Sequence, residues 1–144
     1  MQIRLAHAKD ALAIAEVGQS LGYAEDVITD LAEQRLLALL GSKQDQIWVA
    51  EREDKIVGWL HAQHAFRLAS PDFIEILGLS VAEDARQQGI GRALVAEAKN
   101  WSHDLAVVLR VRTNQQRVNA LAFYSSIGFS CHKQQSVFQW SDNF

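Results

Sequence analysis

The chain is 144 residues long, 49% hydrophobic and 22% charged, with a formal net charge of −3. That composition supplies one buried core and excludes intrinsic disorder, and no apolar run approaches the ~18 residues that cross a bilayer. The only cysteine, Cys131, excludes an intramolecular disulfide and a multi-thiolate zinc site. A reducing cytoplasm is the expected compartment, and the mild acidity argues against an obligate nucleic-acid partner.

With no repeat, low-complexity tract or linker in it, the chain reads as a single domain over residues 1–144. Gln2 to Leu5 is strand-like, and no basic cluster precedes a long apolar stretch as it would in a signal peptide. Ala11 to Ser20 has helical spacing in Leu12, Ile14, Ala15 and Val17. A second helix is expected from Glu25 to Leu40, with Ile28, Leu31, Ala32, Leu36 and Leu39 on one stripe and Gly41 as its stop. Ile47 to Ala50 and Ile56 to Leu60 flank the charged tip Arg52-Glu53-Asp54-Lys55, a hairpin whose second arm is expected to run through Phe66 to the Pro71 turn. Phe73 to Val81 is apolar on both parities and so reads as a central strand. A helix follows over Ile90 to Trp101, then a buried strand over Ala106 to Val111. Ala120, Phe123, Tyr124 and Ile127 mark a short helix ended by Gly128. Phe129 to His132 and Val137 to Trp140 are expected to close the sheet as a last hairpin. The order is β-α-α-β-β-β-α-β-α-β-β, a mixed α/β sheet with helices on both faces.

The most informative stretch is Arg86-Gln87-Gln88-Gly89-Ile90-Gly91-Arg92-Ala93, between a central strand and a strong helix. Two glycines let the backbone turn and let a ligand approach without meeting a Cβ. The free N–H groups of the helix's first turn, its macrodipole and the bracketing Arg86 and Arg92 together suit a diphosphate. A dinucleotide fingerprint would need a third glycine where Leu94 stands, and a P-loop would need a Gly-Lys-Ser/Thr triplet that the chain lacks. The plain alternative is a helix entry with glycines for packing and arginines for solubility.

Arg86-Gln-Gln-Gly89-Ile-Gly91, after Ile76-Leu77-Gly78-Leu79-Ser80-Val81, resembles the acetyl-coenzyme A signature of the GNAT superfamily of N-acetyltransferases. A second stretch, Arg117-Val118-Asn119-Ala120-Leu121-Ala122-Phe123-Tyr124 with Gly128-Phe129, is similar to that family's Asn-bearing helix and closing Gly-Phe. The resemblance implies the family's mostly antiparallel mixed sheet and direct acetyl transfer from acetyl-CoA to an amine, with no metal. It implies that the backbone of Leu79, Ser80 and Val81 holds the pantetheine arm and that Arg86 and Gln87 through Ala93 hold the pyrophosphate. Asn119 is implied as a side-chain contact to the coenzyme, or else caps its helix. Tyr124 is implied as the acid that protonates the leaving thiolate, or else is core. Glu75 matches the strand position of a general base in one branch of the family; the alternatives are a solvent-facing Glu or a water relay in its place.

His61 and His64 are candidates for lining the acceptor pocket, but they point to opposite faces of a strand and so cannot pair on a metal. Cys131 reads as an ordinary buried thiol. The acceptor amine is not legible; the acidic Glu25, Asp26, Asp30 and Glu33 suit a cation. The family resemblance further implies a homodimer, for which Val137-Phe138-Gln139-Trp140 is the apolar edge candidate. A non-catalytic acyl-CoA sensor is the alternative function.

Overall fold

The computed structural model describes residues 1–18 and 25–142, and the side chains of all of these except 25–30. The described residues fall into two compact units, Met1–Arg112 and Thr113–Phe144. The first is a five-stranded sheet in the order β1-β2-β3-β4-β5, formed by β1 (Gln2–Leu5), β2 (Asp45–Arg52), β3 (Lys55–Ala65), β4 (Phe73–Val81) and β5 (Val108–Val111). Neighbours are antiparallel except β4 and β5, which run parallel. The β2–β3 connection is a two-residue turn in which Glu53 and Asp54 both have positive φ (53° and 61°), the twist-matched geometry of a tight hairpin.

Alternation of side chains divides the sheet into two covered faces. On one, α1 (Ala11–Val17) and α2 (Glu25–Leu40) pack Ala11, Ile14, Val17, Leu36 and Leu39 against Ile47, Val49, Ile56 and Trp59. On the other, α3 (Ile90–Leu105) buries Ile90, Leu94, Val95, Ala98 and Ser102, and its Trp101 meets Trp48 and His64 edge-on. Leu60, Ile74, Ile90 and Leu94 are fully enclosed; each such side chain stabilises the fold by about 1.5–3 kcal/mol. This is the expected fold class, a mixed, mostly antiparallel sheet with helices on both faces.

Several expected boundaries move. The α1 helix ends at Val17 with Gly18 as its cap, and the expected remainder, Gln19 and Ser20, lies outside the described residues. The β3 strand stops at Ala65, short of the Pro71 turn, and α3 continues past Trp101 to Leu105. The β5 strand is shorter than expected and open to solvent at Val108.

The second unit holds α4 (Val118–Ser126), which is followed by Gly128 at φ +100°. Phe129 N–H donates to the Tyr124 carbonyl at 3.0 Å. The final hairpin expected over Phe129–His132 and Val137–Trp140 does not form: residues 129–142 carry no strand. A strand needs a neighbour for its N–H and C=O groups and a face on which to bury alternate side chains. Within this unit neither is offered, and Val137, Phe138 and Trp140 are 90%, 94% and 79% exposed. Cys131, expected to be buried, is exposed for the same reason.

Candidate active site

The chemistry-bearing part of the first unit begins where the β4–β5 ladder stops. The β5 strand pairs with β4 only from Phe73↔Val108 to Ile76↔Val111. On the β3 side, pairing continues to Gly58↔Val81, with an irregularity between His61 and Ala62 that leaves Leu77 without a partner. Within the first unit, residues 77–81 are therefore without a ladder partner among the described residues on the β5 side. Ala82 N–H donates to the Val57 carbonyl at 2.8 Å, so alternation turns the backbone groups of Ser80 toward β3 and those of Leu79 and Val81 toward the open edge. The Ser80 side chain is also committed, its hydroxyl donating to the Val17 carbonyl at 3.1 Å. The Trp59 ring lies over Gly78, where a Cβ would sit 2.7 Å from the indole. Any larger residue at this point would displace either the ring or the strand.

The edge runs into the glycine turn. After a short 3-10 turn at Glu83–Ala85, Gln87 has φ +62° and Gly89 φ +81°. Positive φ at alternate residues orients successive N–H groups into an anion-binding concavity. Gly89 is the N-cap of α3, no side chain caps that end, and a Cβ there would meet nothing within 4 Å. The N–H groups of Ile90, Gly91 and Arg92 consequently have no acceptor in the helix. Gln88 and Arg92 are exposed, as is Arg86, whose Nε donates to the Val81 carbonyl at 3.3 Å. The Ile90 side chain is core, so only its backbone serves the turn; Ala93, whose N–H already donates to the Gly89 carbonyl at 3.0 Å, closes the first helical turn. Arg52 at the end of β2 donates through Nη1 to the Gln88 side-chain oxygen. That contact was not legible in the sequence, because it joins residues from separate elements.

Glu75 is buried (8% exposed) on the α1/α2 face of β4. Across the sheet its register neighbours are Gln63 and Arg110, and its Oε1 lies 3.1 Å from Arg112 Nε. Of the alternatives open in the sequence, a solvent-facing Glu is thereby removed. Beside it stands a cluster that sequence reading missed. Asp45 Oδ1 lies 2.7 Å from His61 Nε2 and accepts from Gln63 Nε2 at 3.3 Å, and Oδ2 accepts from the Ser42 hydroxyl at 2.6 Å. Burial pushes the Asp45 carboxyl up, but the donors from Ser42, His61 and Gln63 more than offset it and hold the group below the usual carboxylate range. His64 sits on the opposite face, paired with Asp72 and against Trp101.

In the second unit, the half-buried Tyr124 ring packs edge-on against Phe123 and Phe129, with centroids 5.0 and 5.4 Å apart. Burial raises its phenol above the ordinary value, partly opposed by the Arg117 charge. Asn119 is exposed in the first turn of α4, whose N-cap is Arg117, so the capping alternative for Asn119 does not hold. The side chains of Glu25, Asp26 and Asp30, the acidic residues expected near an acceptor, lie outside the described residues.

Human N-acetyltransferase 8 is 30% identical over 109 residues, covering 71% of this chain and 46% of its own length. The chain therefore spans about half the length of the curated relatives it matches. A solved structure described as a transcriptional regulator from Bacillus halodurans C-125 superposes with a TM-score of 0.84 at 23% identity, covering 96% of this chain and 99% of that one. The aminoglycoside N-acetyltransferase AAC(6')-Iy, in complex with a CoA-containing bisubstrate analog, superposes with a TM-score of 0.80 at 16% identity over 98% of both chains. Residues 43–131, from β2 to just past α4, match the acetyltransferase (GNAT) domain model. With more than half of its length in that match, the chain belongs to the GNAT acetyltransferase family.

Proposed function

We infer that the protein is an acetyl-CoA-dependent N-acetyltransferase acting on a primary amine, with residues 1–144 as one catalytic domain. The observation that carries this reading is the open β4 edge at 77–81 leading directly into the uncapped N-terminus of α3. An extended pantetheine arm adds to such an edge as a strand would, through the backbone groups of Leu79 and Val81. Its pyrophosphate then reaches the N–H groups of Gln87 through Arg92 and the charges of Arg86 and Arg92. Family membership supports CoA as the ligand, and the complex of AAC(6')-Iy with its CoA-containing analog supports an amine acceptor.

An ammonium must lose a proton before it attacks the thioester, and the leaving thiolate must gain one. Glu75 is assigned to the first task, drawing the ammonium and accepting its proton directly or through a water. Tyr124 is assigned to the second and Asn119 to a coenzyme contact, both on the family resemblance of α4. The assembly is proposed as a homodimer joined through Val137-Phe138-Gln139-Trp140; light scattering at about tens of micromolar should give twice the chain mass, and a monomer refutes it.

The coenzyme site has a direct test. Acetyl-CoA at about 100 times its Kd should stabilise the protein by about 2.7 kcal/mol, read as a rise in Tm, with far smaller rises for NADH and ATP. In Gly89→Val the new Cβ meets nothing, but φ +81° is unfavourable for a β-branched residue. Backbone strain of about 1–2 kcal/mol should lower the basal Tm without unfolding the chain. The distorted turn should lose the acetyl-CoA shift, and an undiminished shift overturns the cradle. Release of CoA with an amine panel then separates an enzyme from an acyl-CoA sensor.

A further inference from the structure

His61 is held in a way that a merely structural histidine does not need. Its Nε2 is fixed by Asp45 at 2.7 Å, and the Asp45 side chain is only 5% exposed. Ser42 and Gln63 complete the carboxylate's set of donors. Among the described residues the other ring nitrogen, Nδ1, has no hydrogen-bond partner, and it is not one of the sealed-off polar atoms. A buried carboxylate that fixes one nitrogen of an imidazole while the other faces an open site is the arrangement of an oriented general base.

Its location matches that role. His61 pairs with Gly78, directly beside the Leu77 irregularity where the β4 edge opens. It lies on the same face as Glu75, whose register partner Gln63 is two residues further along β3. Among the described residues, the other charged groups near the pair are Arg110 of β5 and Arg67, over the Phe73 ring at 4.4 and 5.0 Å, and Arg112, which is paired with Glu75. A guanidinium does not give up its proton in proteins, which leaves Asp45, His61 and Glu75 as the groups that can exchange a proton.

We propose that the Asp45–His61 pair is the second station of the proton relay for acetyl transfer, a role that rests on the acetyltransferase reading above. The acceptor ammonium gives one proton to Glu75 or to an intervening water, and that proton passes to His61 Nδ1. The nitrogen lone pair forms the bond to the thioester carbonyl carbon. The C–S bond breaks with its electron pair going to sulfur; the nitrogen gives its second proton to water and the thiolate takes one proton up, so that the proton held by His61 is the one released net. The imidazolium, stabilised by the ionised Asp45, then returns its proton to water. A cationic acceptor also suits a face on which Asp45 and Glu75 both carry buried carboxylates.

The test uses the full chain, acetyl-CoA and whichever panel amine the wild type turns over, with CoA release measured against pH. In His61→Gln the amide nitrogen takes the place of Nε2 and still donates to Asp45 but cannot take up a proton. Its kcat should fall about 10²-fold at pH 7 and climb steadily toward the amine's own pKa, while the acetyl-CoA rise in Tm is kept. Asp45→Asn should shift the acidic limb of the profile, and free imidazole should restore part of the activity of His61→Ala. A wild-type profile in His61→Gln with no imidazole rescue in His61→Ala overturns the relay and leaves the acetyltransferase reading standing. Failure of the wild type to release CoA with any amine overturns both.

Discussion

Replacing Tyr124 with phenylalanine is expected to lower kcat by about 10²-fold, the lower end for losing a general acid. The substitution removes only a hydroxyl, so the edge-on contacts with Phe123 and Phe129 survive and the helix should keep its stability. Acetyl-CoA affinity should change little, which places the loss in kcat and not in KM. The companion change, Glu75→Gln, keeps the volume and leaves an oxygen for Arg112 but removes the first proton acceptor. Its rate should rise continuously as pH approaches the pKa of the acceptor amine, because only the neutral fraction in solution can then react. Full activity of Tyr124→Phe across the pH range would return Tyr124 to a packing role. An unchanged acidic limb in Glu75→Gln would assign the first proton to ordered water.

The second large effect is on stability. Asp10 is 5% exposed. It accepts Arg4 through both oxygens, at 2.8 and 3.0 Å, and the His7 N–H at 2.7 Å. Arg4 also holds Glu51 at 2.9 Å, so the cluster ties β1 to β2 and to the entry of α1. Asp10→Ala removes two charge-assisted hydrogen bonds from Arg4, which keeps Glu51, and takes away the acceptor of the His7 N–H, which should cost about 2–3 kcal/mol. For a chain of this size that is a fall in Tm of roughly 5–10 °C. The Arg4 hydrogen bond, opposed by burial and aided by the His7 N–H, holds the Asp10 carboxyl below its usual range. A carboxyl lowered in the folded state contributes its stability above the unfolded value of about 4 and loses it as pH falls through the folded value. Asp10→Ala should therefore flatten the acid limb of the unfolding curve below about pH 4. A mutant that keeps the wild-type Tm and acid limb would refute this account.

The turn proposed for the coenzyme could be singled out in the sequence because its residues are contiguous. The glycines of Gln88-Gly89-Ile90-Gly91, the arginines beside them and the apolar strand before them adjoin one another, and the free backbone N–H groups follow from the helix start itself. The α2 and β4 boundaries agreed with their expected ones because their apolar patterns are long and end abruptly. The final hairpin was misread because an apolar run such as Val137-Phe138-Gln139-Trp140 shows a preference for extension without showing a partner. Strand pairing is a property of two segments, and a single stretch of sequence carries no record of it.

The sequence by itself determined the family, the element order through α4 and the glycine turn at the start of α3, all of which depend on residues close together in the chain. Only the tertiary structure decided which polar side chains share a face. A regular two-residue hairpin over Arg52↔Lys55 would set Asp45 opposite Ala62. The irregularity between Ala50 and Glu51 moves it opposite Gln63 and so onto the face of His61 and Glu75. Because side chains alternate with a period of two, that single-residue slip reverses the face. It makes a partly buried Asp–His pair from two residues that the linear sequence shows only as unrelated polar positions.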